Sequence, residues 1–468
     1  GLEAPDLLGG LIDLPECLDE EVMASLLGTL AGSEDEDQVG IRPEGRYVRR
    51  LVRAPVEKSE SDWSTEGTAL ISGGTGALGQ HVARWLVERG CEHIVLTSRR
   101  GPDSPGADGI RDELELLGAK VTIAACDVSR QESVESLLST LRASGETPRV
   151  VIHTAGILSM AMVDELTPAA LDDALAAKVR GAWNLHEQTL QDGLDAFVLY
   201  GSIAGLWGSG QQAAYCAANA SLVGLAEARR SGGHAATVVH WGPWAGDGML
   251  DGGTQAAEVK LRKRGLSPME PRRALAGLGA ALASEQSDIA IVDVSWQRFA
   301  PLLTFARKSP FILTVPEVEA LNQPSITGES SRVVIDSALR RELLEMAQGA
   351  RIHRVTRLIS EATASVLGLS DASRIDVRTG FLDLGLDSLM AVDLRKKLEE
   401  RTGLAVPATL AFDHPTVEDA AAWLLAELMA EHPQGHFDDE VRAQIAAHEP
   451  VAIVGVGLRM PGGATDLE

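Results

Sequence analysis

The chain has 468 residues, 45% of them hydrophobic, and its 67 acidic and 42 basic residues give a formal net charge of −25. Such a length predicts about three domains of ordinary size. Such a charge argues against nucleic acid or an anionic membrane as a partner, because both need a basic protein face.

The opening of the chain has no signal-peptide pattern, and no apolar run reaches the roughly 18 residues of a membrane helix. The four cysteines are widely separated and have no CxxC or Cys/His metal-ligand spacing. This usage is typical of the reducing cytosol and argues against a disulfide framework or a structural zinc site. We therefore expect a cytoplasmic protein that binds no metal. The cysteines are Cys17, Cys91, Cys126 and Cys216.

Residues 1–56 form a mixed acidic and apolar segment that closes on a basic, strand-like run over 46–53. A polar connector rich in Glu and Ser follows over 57–67. Over 68–321, short apolar runs alternate with amphipathic stretches of helical length, which predicts an α/β Rossmann-like, doubly wound parallel sheet. The predicted strands are 69–71, 94–97, 121–124, 149–153, 196–200 and 236–240.

A second connector over 322–345 contains Ser, Pro and Gly and lacks periodicity. Residues 346–430 show apolar spacing of three and four and predict a small all-α helical bundle. A third connector, 431–448, leads to 449–468, which is typical of a strand entering a new fold. Gly1 opens the chain in place of methionine, and the new fold over 449–468 stops soon after it begins. We therefore expect both ends to be cuts in a longer polypeptide. The predicted helices are 357–367, 389–401 and 417–429.

A glycine-rich loop follows the first predicted strand of the sheet and precedes a helix predicted over 81–88. Glycines there allow a tight turn, a close approach of the backbone to a pyrophosphate, and close packing of the helix on the sheet. The helix N-terminus adds free N–H groups and a positive dipole end. Between a strand and a helix, such a loop predicts a dinucleotide site. Its expected binding residues are Gly73, Thr75, Gly76, Leu78 and Gly79.

The second predicted strand ends in Ser98, Arg99 and Arg100. Dinucleotide folds select their cofactor there, since a carboxylate holds a free ribose 2′-hydroxyl and arginine suits a 2′-phosphate. Two arginines without an acid predict NADPH, and a solvated surface pair is the alternative. After the third strand, Asp127 and Val128 are candidate contacts of the adenine, although an ordinary turn explains the same aspartate.

Ser202 ends a predicted strand, and Tyr215 begins a helix thirteen residues later. Carbonyl reduction needs such a pair, because the hydride leaves charge on the oxygen that a hydrogen-bond donor and a proton donor must meet. This spacing resembles the short-chain dehydrogenase/reductase family. Ordinary members have lysine where this chain has Asn219, and asparagine where it has Lys178. The exchange resembles the ketoreductase domains of modular polyketide synthases.

The resemblance implies a role for each of these residues. Ser202 would bond the ketone oxygen, Tyr215 would protonate it, and Lys178 would hold the nicotinamide ribose. An ammonium beside the phenol would also lower a tyrosine pKa that is ordinarily about 10, and Asn219 would fix the lysine. Segments similar to those that the family has near the nicotinamide and the substrate lid supply the cofactor candidates His153, Ala155, Gly156 and Pro243, and the substrate candidates Trp244 and Met249.

Several positions bear on stereochemistry within that family. One class has Leu-Asp-Asp where this chain has Leu158, Ser159 and Met160. The opposite class has tryptophan eight residues before the tyrosine, as Trp207 is here, and its epimerising members have histidine where this chain has Gln212. The resemblance implies an A-type enzyme that gives the L-configured β-hydroxyl without epimerisation. Simple packing is the alternative role of Trp207.

The segment 1–56 resembles the C-terminal part of the ketoreductase structural subdomain. In related modules an enoyl reductase is inserted between the two subdomains, and the connector 57–67 is far too short for one. We therefore expect no full reduction to a methylene by this module.

Ser388 lies at a predicted helix start within 385–390, which resembles the attachment site of acyl carrier proteins. A serine hydroxyl there can accept a phosphodiester, whose charge the helix dipole favours. The resemblance implies a covalent 4′-phosphopantetheine on Ser388, attached by a phosphopantetheinyl transferase. Ordinary helix capping is the alternative role.

The sequence over 449–468 resembles the opening of a ketosynthase domain. Our hypothesis is a segment of a modular polyketide synthase that reduces the β-ketoacyl chain on its own carrier domain with NADPH. Its partners would be the ketosynthase and acyltransferase domains of the same synthase. One alternative is a reductively inactive scaffold, against which the complete set of Ser202, Tyr215 and Lys178 argues. The other is a free-standing reductase of small alcohols or sugars, against which the attached carrier domain argues.

Overall fold

The chain is described here from a computed structural model. It covers residues 10–31, 36–54, 63–246, 255–284, 286–304, 309–322, 338–367, 369, 371–381, 384, 386, 388–404, 406–407 and 410–429. These residues divide into two compact units, one within Ala54–Ser295 and the other within Leu8–Arg53 and Trp296–Val454. No helix in these ranges combines the length and the apolar character needed to cross a membrane.

Strands and helices alternate along much of the described chain. The strands are β1 (Leu11–Asp13), β2 (Gln38–Arg42), β3 (Gly45–Val48), β4 (Thr68–Ser72), β5 (His93–Ser98), β6 (Lys120–Ala125), β7 (Pro148–His153), β8 (Ala196–Ser202), β9 (Thr237–Trp241), β10 (Leu266–Ser267), β11 (Asp288–Ile291) and β12 (Asp293–Val294). The α-helices are α1 (Glu20–Leu30), α2 (Ala77–Glu88), α3 (Ala107–Leu116), α4 (Gln131–Ala143), α5 (Pro168–Leu175), α6 (Gly181–Gln188), α7 (Ala204–Trp207), α8 (Ala213–Ser231), α9 (Gln255–Lys263), α10 (Pro271–Ala283), α11 (Trp296–Leu303), α12 (Pro316–Asn322), α13 (Ala338–Glu345), α14 (Gln348–Val366), α15 (Ser388–Thr402), α16 (Leu410–Asp413) and α17 (Val417–Met429).

The first unit is built on a seven-stranded sheet with the order β11-β9-β8-β7-β4-β5-β6. Every neighbouring pair in it is parallel, which confirms the predicted Rossmann-like sheet. The six predicted strands are all present. The edge strand β11 was not predicted, although an apolar run over 289–292 marks it; its residues are partly or fully exposed in the structure.

Helices cover both faces of this sheet, because alternate residues of a strand point to opposite sides. In β4, Ile71 packs on one side in a core that includes Leu86 of α2. Leu70 packs on the other side in a core that includes Leu138 of α4. Strands buried on both faces are continuous apolar runs, which is why the sequence pattern identified them.

The order of the strands reverses beside β4, since the chain proceeds to β5 and β6 on one side and to β7, β8 and β9 on the other. Open α/β sheets bind ligands outside the carboxyl ends of their strands at such a point. We call this side of the sheet the carboxyl edge and the opposite side the amino edge. Strand-final residues at the carboxyl edge are Ser72, Ser98, His153 and Ser202.

The second unit contains a small sheet in which β1 pairs parallel to β2 and β2 pairs antiparallel to β3. Helix α1 contributes Val22 to a small core with Val39 and Ile41. The N-terminal segment therefore forms a folded element of its own.

Residues 296–322 pack with this N-terminal segment, although the predicted boundary placed residues up to 321 in the catalytic subdomain. The Leu51 N–H donates to the Phe311 carbonyl oxygen at 2.7 Å, and the Thr314 hydroxyl donates to the Leu51 carbonyl oxygen at 3.0 Å. The Arg49 guanidinium lies 5.0 Å from the centre of the Phe311 ring. These contacts join segments that are far apart in sequence, which is why no local pattern predicted them.

The helical bundle in the second unit consists mainly of α14, α15 and α17, as the apolar spacing predicts. Each helix buries leucines in one core, among them Leu358, Leu394 and Leu424. The helix α14 begins nine residues earlier than predicted, at Gln348, because its first turns contain basic residues that weaken the apolar pattern.

Candidate active site

The glycine loop between β4 and α2 has no room for a side chain at Gly73 or at Gly79. Gly73 has a φ of +67°, and an added Cβ would lie 2.9 Å from the Thr154 hydroxyl oxygen and 3.0 Å from the backbone of Ala155. An added Cβ on Gly79 would lie 2.6 Å from the Gly73 carbonyl oxygen, which accepts from Gly76 N at 3.0 Å. The bare backbone and the start of α2 form a cradle of the kind that holds a pyrophosphate.

The turn after β5 presents Arg99 and Arg100 to solvent, and neither forms an ion pair with a described residue. Ser98 does not project with them, because its Oγ accepts from Gly101 N at 2.9 Å and lies 2.8 Å from Ser104 Oγ. Two free guanidinium groups beside the glycine cradle fit the 2′-phosphate of NADPH. Ser98 holds the turn that presents them.

The turn after β6 uses the Asp127 carboxylate internally. Asp127 Oδ1 accepts from the backbone N and the hydroxyl of Ser129 at 3.1 and 2.7 Å. The Val128 side chain is buried, and its carbonyl oxygen accepts from Asn184 Nδ2 at 2.8 Å. The turn-forming role that the sequence left open for Asp127 is therefore present, and its second carboxylate oxygen stays available for an adenine amine.

The predicted Ser202 and Tyr215 pair comes together at the carboxyl edge. The side chains of Ser202 and Asn219 both interact with the Tyr215 phenol and lower its pKa. Burial raises the pKa of Tyr215, and these two interactions oppose that rise. The Ser202 oxygen also accepts from Ala204 N at 3.2 Å, which leaves its own proton free to donate.

Asn219 is fully buried one helical turn after Tyr215 on α8. Its Nδ2 donates to the Tyr215 carbonyl oxygen at 2.7 Å. Its Oδ1 is buried and has no hydrogen-bond partner among the described residues. A buried acceptor beside the phenol is a site for a donor, such as an ordered water.

Lys178 lies in a π-helical turn, Ala176–Arg180, between α5 and α6. Its side chain is buried, and Nζ donates to the Tyr200 carbonyl oxygen at 2.8 Å. Burial lowers the pKa of Lys178 to about 8. Lys178 is not among the groups that shift the pKa of Tyr215, which is raised. The ammonium bonds the Tyr200 carbonyl here, so the lowering of the phenol pKa by this lysine stays a prediction.

His153 does not face the cofactor site as predicted. Its ring is fully buried, with Nδ1 2.6 Å from Ser72 Oγ and Nε2 2.9 Å from the Lys178 carbonyl oxygen. Both ring nitrogens are therefore occupied behind the site. Of its predicted companions, Ala155 lies against Gly73, and an added Cβ on Gly156 would lie 2.6 Å from Lys178 Cε.

On the substrate side of the site, the loop that contains Ala161 and the loop that contains Gln211 are joined by a backbone hydrogen bond. Ala161 N donates to the Gln211 carbonyl oxygen at 2.8 Å, and Gln212 Nε2 donates to Met160 Sδ at 3.2 Å. Gln211 has a φ of +61°, the one non-glycine residue with positive φ in the described part of the chain. Sequence reasoning missed this strained residue. Trp207, at the end of the short helix α7, is half-buried.

Trp244 is a core residue, which corrects its predicted place at the substrate. It is buried against Trp241, with ring centres 5.0 Å apart, and stacks on His81 at 5.9 Å. A large indole beside another aromatic ring gains more from burial than from exposure at a cleft. Pro243 is half-buried and its carbonyl oxygen accepts from Met269 N at 2.8 Å. Met249 lies outside the described residues.

The attachment candidate Ser388 is the first residue of α15. This position agrees with the predicted helix start. Its side chain lies outside the described part of the structure, as does Asp387.

Comparisons with known proteins match the two domains that contain these residues. Residues 67–246 match the KR domain family, and residues 357–424 match the phosphopantetheine attachment site family. The chain is 43% identical over 467 residues to the polyketide synthase GfsA of Streptomyces halstedii, covering 99% of this chain and 6% of that protein. It is 42% identical over 463 residues to the pikromycin polyketide synthase component PikAIII of Streptomyces venezuelae, covering 96% of this chain and 29% of that protein.

Among solved structures, the chain resembles an A-type ketoreductase from a modular polyketide synthase. The identity is 45% and the TM-score is 0.65, covering 68% of this chain and 67% of that one. Ketoreductase domains use NADPH, and a phosphopantetheine attachment domain carries the covalent 4′-phosphopantetheine arm. The chain therefore belongs to the ketoreductases of modular polyketide synthases and carries a phosphopantetheine attachment domain after its reductase fold.

Proposed function

We propose that this chain reduces a β-ketoacyl thioester, carried on its own phosphopantetheine arm, to the L-configured β-hydroxyacyl thioester without epimerisation. The observation that carries the proposal is that Ser202, the last residue of β8, lies beside the Tyr215 phenol at the carboxyl edge and lowers its pKa. A proton donor and a hydrogen-bond donor are thus adjacent, as reduction of a ketone requires.

NADPH supplies the hydride when it is bound. The Ser202 hydroxyl donates to the ketone oxygen and polarises the carbonyl, and Tyr215 passes its phenolic proton to that oxygen. Because burial raises the pKa of Tyr215, the phenol is protonated at neutral pH and has a proton to give. With the Ser202 proton on the ketone oxygen, Asn219 stabilises the phenolate that remains, since it lowers the pKa of the phenol.

The stereochemical part of the proposal rests on the substrate loops. Trp207 is half-buried beside the loop that leads to Tyr215, and Gln212 occupies the position where epimerising relatives have histidine. The 45% identical A-type ketoreductase supports the same class. A bulky indole on one side of the cleft would leave one face of the ketone open to reduction.

The carrier part of the proposal places the arm on Ser388, the first residue of α15. A phosphopantetheinyl transferase would attach it, and the ketosynthase and acyltransferase domains of the same synthase would load and extend the chain. We further propose a carrier domain over 346–430 and the opening of a ketosynthase over 449–468, which lies outside the described residues.

The test is turnover of a short β-ketoacyl thioester by the full chain with NADPH, followed by absorbance of NADPH and by chiral chromatography of the alcohol. The expected result is NADPH oxidation that forms mainly the L-configured alcohol. A D-configured product would overturn the A-type assignment. A wild type that binds NADPH and never oxidises it would favour the inactive scaffold.

A further inference from the structure

His153, the last residue of β7, lies between the base of the glycine loop and the turn that carries Lys178. Its Nδ1 is 2.6 Å from Ser72 Oγ, and its Nε2 is 2.9 Å from the Lys178 carbonyl oxygen. Because a carbonyl oxygen only accepts, Nε2 carries the ring proton and donates it, and Nδ1 accepts from the Ser72 hydroxyl. Burial, and then the charge of Lys178, lower the pKa of His153 to about 3, so the ring stays neutral in this one tautomer.

The Lys178 carbonyl that accepts this bond belongs to an irregular helical turn. The π-helical turn Ala176–Arg180 interrupts the α-helical ladder between α5 and α6. A π turn adds one residue to a helical turn and displaces the regular backbone bonds around it. His153 bonds this backbone from outside the helix, and it therefore fixes the turn in place.

The Lys178 side chain is held at its other end. Its Nζ donates to the Tyr200 carbonyl oxygen at 2.8 Å, and its methylenes lie against Gly156, where an added Cβ would be 2.6 Å from Cε. The space for this side chain is therefore set by the backbone on both sides. A small shift of the turn would move Nζ off its acceptor.

The same imidazole is bonded to the glycine loop through Ser72, which directly precedes Gly73. The Ser72 carbonyl oxygen accepts from Thr154 N at 3.1 Å and from Thr154 Oγ1 at 2.7 Å. Ser72 is thus fixed by both residues at the end of β7. His153 connects this fixed point of the dinucleotide cradle to the turn of Lys178.

We propose that His153 is a positioning residue, which fixes the π turn through the Lys178 carbonyl and thereby positions the Lys178 side chain. The importance of this for catalysis rests on the proposed reductase function. The positioning of the Lys178 side chain is itself a property of the fold, and it can be measured without turnover.

Two substitutions of His153 separate its two hydrogen bonds. Asparagine places an amide near Nδ1, where it can accept from Ser72, but it does not reach the Lys178 carbonyl. Glutamine places its amide near Nε2 and can donate to Lys178. The readout is acetylation of Lys178 by acetic anhydride in the full chain without NADPH, followed by peptide mass spectrometry.

We expect His153→Asn to raise the rate of Lys178 acetylation at least about tenfold, because a buried carbonyl without its donor destabilises the turn. His153→Gln should stay within about threefold of the wild type, because it restores that donor. In steady-state kinetics, kcat should fall in His153→Asn with the thioester KM unchanged, and His153→Gln should recover the larger share. An acetylation rate in His153→Asn equal to wild type would overturn the proposal, as would equal increases in both variants.

Two controls keep the result interpretable. His93 is a second buried histidine of the same sheet, at the amino edge, with Glu146 Oε2 at 2.8 Å and Thr122 Oγ1 at 2.9 Å. His93→Asn should lower the midpoint of thermal unfolding and leave Lys178 acetylation unchanged; a matching rise would assign the effect to general loosening and overturn the proposal. Ser72→Ala keeps the donor to Lys178, so it should not raise acetylation, and a tenfold rise would contradict the role given to the Lys178 carbonyl. If wild type fails to oxidise NADPH, the proposed function fails, and the acetylation rates still decide the role of His153.

Discussion

The two edges of the central sheet each contain a buried histidine, and the partners of the two rings differ. At the amino edge, the His93 ring lies against the Glu146 carboxylate, which also accepts from Lys120 Nζ at 2.6 Å and from the Thr68 hydroxyl at 3.1 Å. At the carboxyl edge, the His153 ring has a hydroxyl and a carbonyl as its partners.

The difference lies in where charge is neutralised. The amino edge pairs its charges, so its contribution is to stability and depends on pH. At the carboxyl edge, Lys178 is buried and its pKa is lowered by burial alone. Among the described residues, no carboxylate contacts Lys178. Its charge is therefore not neutralised by an acidic partner in this part of the chain, and we expect the unpaired, buried ammonium to lower stability.

The largest expected effect of a substitution is at Ser202, at the carboxyl edge. Ser202→Ala removes the donor to the ketone oxygen, and we expect kcat to fall about 100-fold, the range seen when one such donor is lost. The measurement is NADPH oxidation with a short β-ketoacyl thioester. Thermal unfolding should be nearly unchanged, and a kcat within threefold of wild type would contradict the role of Ser202.

A smaller effect is expected at Gly156. In Gly156→Ala the new Cβ would lie 2.6 Å from Lys178 Cε, so the lysine side chain must shift. We expect kcat to fall about tenfold, because a displacement of a positioned group by about 1 Å costs one to two decades. The matched control is Gly109→Ala in helix α3, where an added Cβ meets nothing within 4 Å. Equal kcat in the two variants would contradict the constraint on Lys178.

The smallest expected effect is at the amino edge and concerns stability. Hydrogen bonds from Lys120, His93 and Thr68 lower the pKa of Glu146 from 4.5 to about 2. Because the folded-state pKa is the lower one, the stabilisation is complete above about pH 4.5 and is lost as the pH falls toward 2.

Glu146→Gln should therefore lower the free energy of unfolding by about 1 kcal/mol at pH 7, a partly exposed pair being screened by solvent. The difference from wild type should shrink between pH 4.5 and 3. Urea unfolding at both pH values measures it. A difference that stays constant with pH would show that the Glu146 charge contributes nothing to the amino edge.

Much of the carboxyl edge could be predicted from the sequence, because its elements are local. The glycine loop lies in a continuous stretch of chain, and Ser202 and Tyr215 are separated by thirteen residues. Apolar runs likewise identified six of the seven strands, since five of those six are buried on both faces.

The remaining features depend on contacts between distant parts of the chain. Tertiary packing decides where the Trp244 ring is buried. It also decides that the turn of Lys178 directs the side chain to the Tyr200 carbonyl. The bond between His153 and Lys178 spans 25 residues, and the bond between His93 and Glu146 spans 53. No spacing in the sequence identifies such pairs, so the burial of His153 and Trp244 was not predicted.

The most direct test of the central claim is the rate of hydride transfer in a single turnover, followed by NADPH absorbance, in wild type and Tyr215→Phe. The substitution removes only the phenolic proton donor, so we expect the rate to fall at least about 100-fold while the dissociation constant for NADPH stays the same. A variant that transfers hydride at the wild-type rate would contradict the assignment of Tyr215 as the proton donor and, with it, the account of the carboxyl edge as a reductase site.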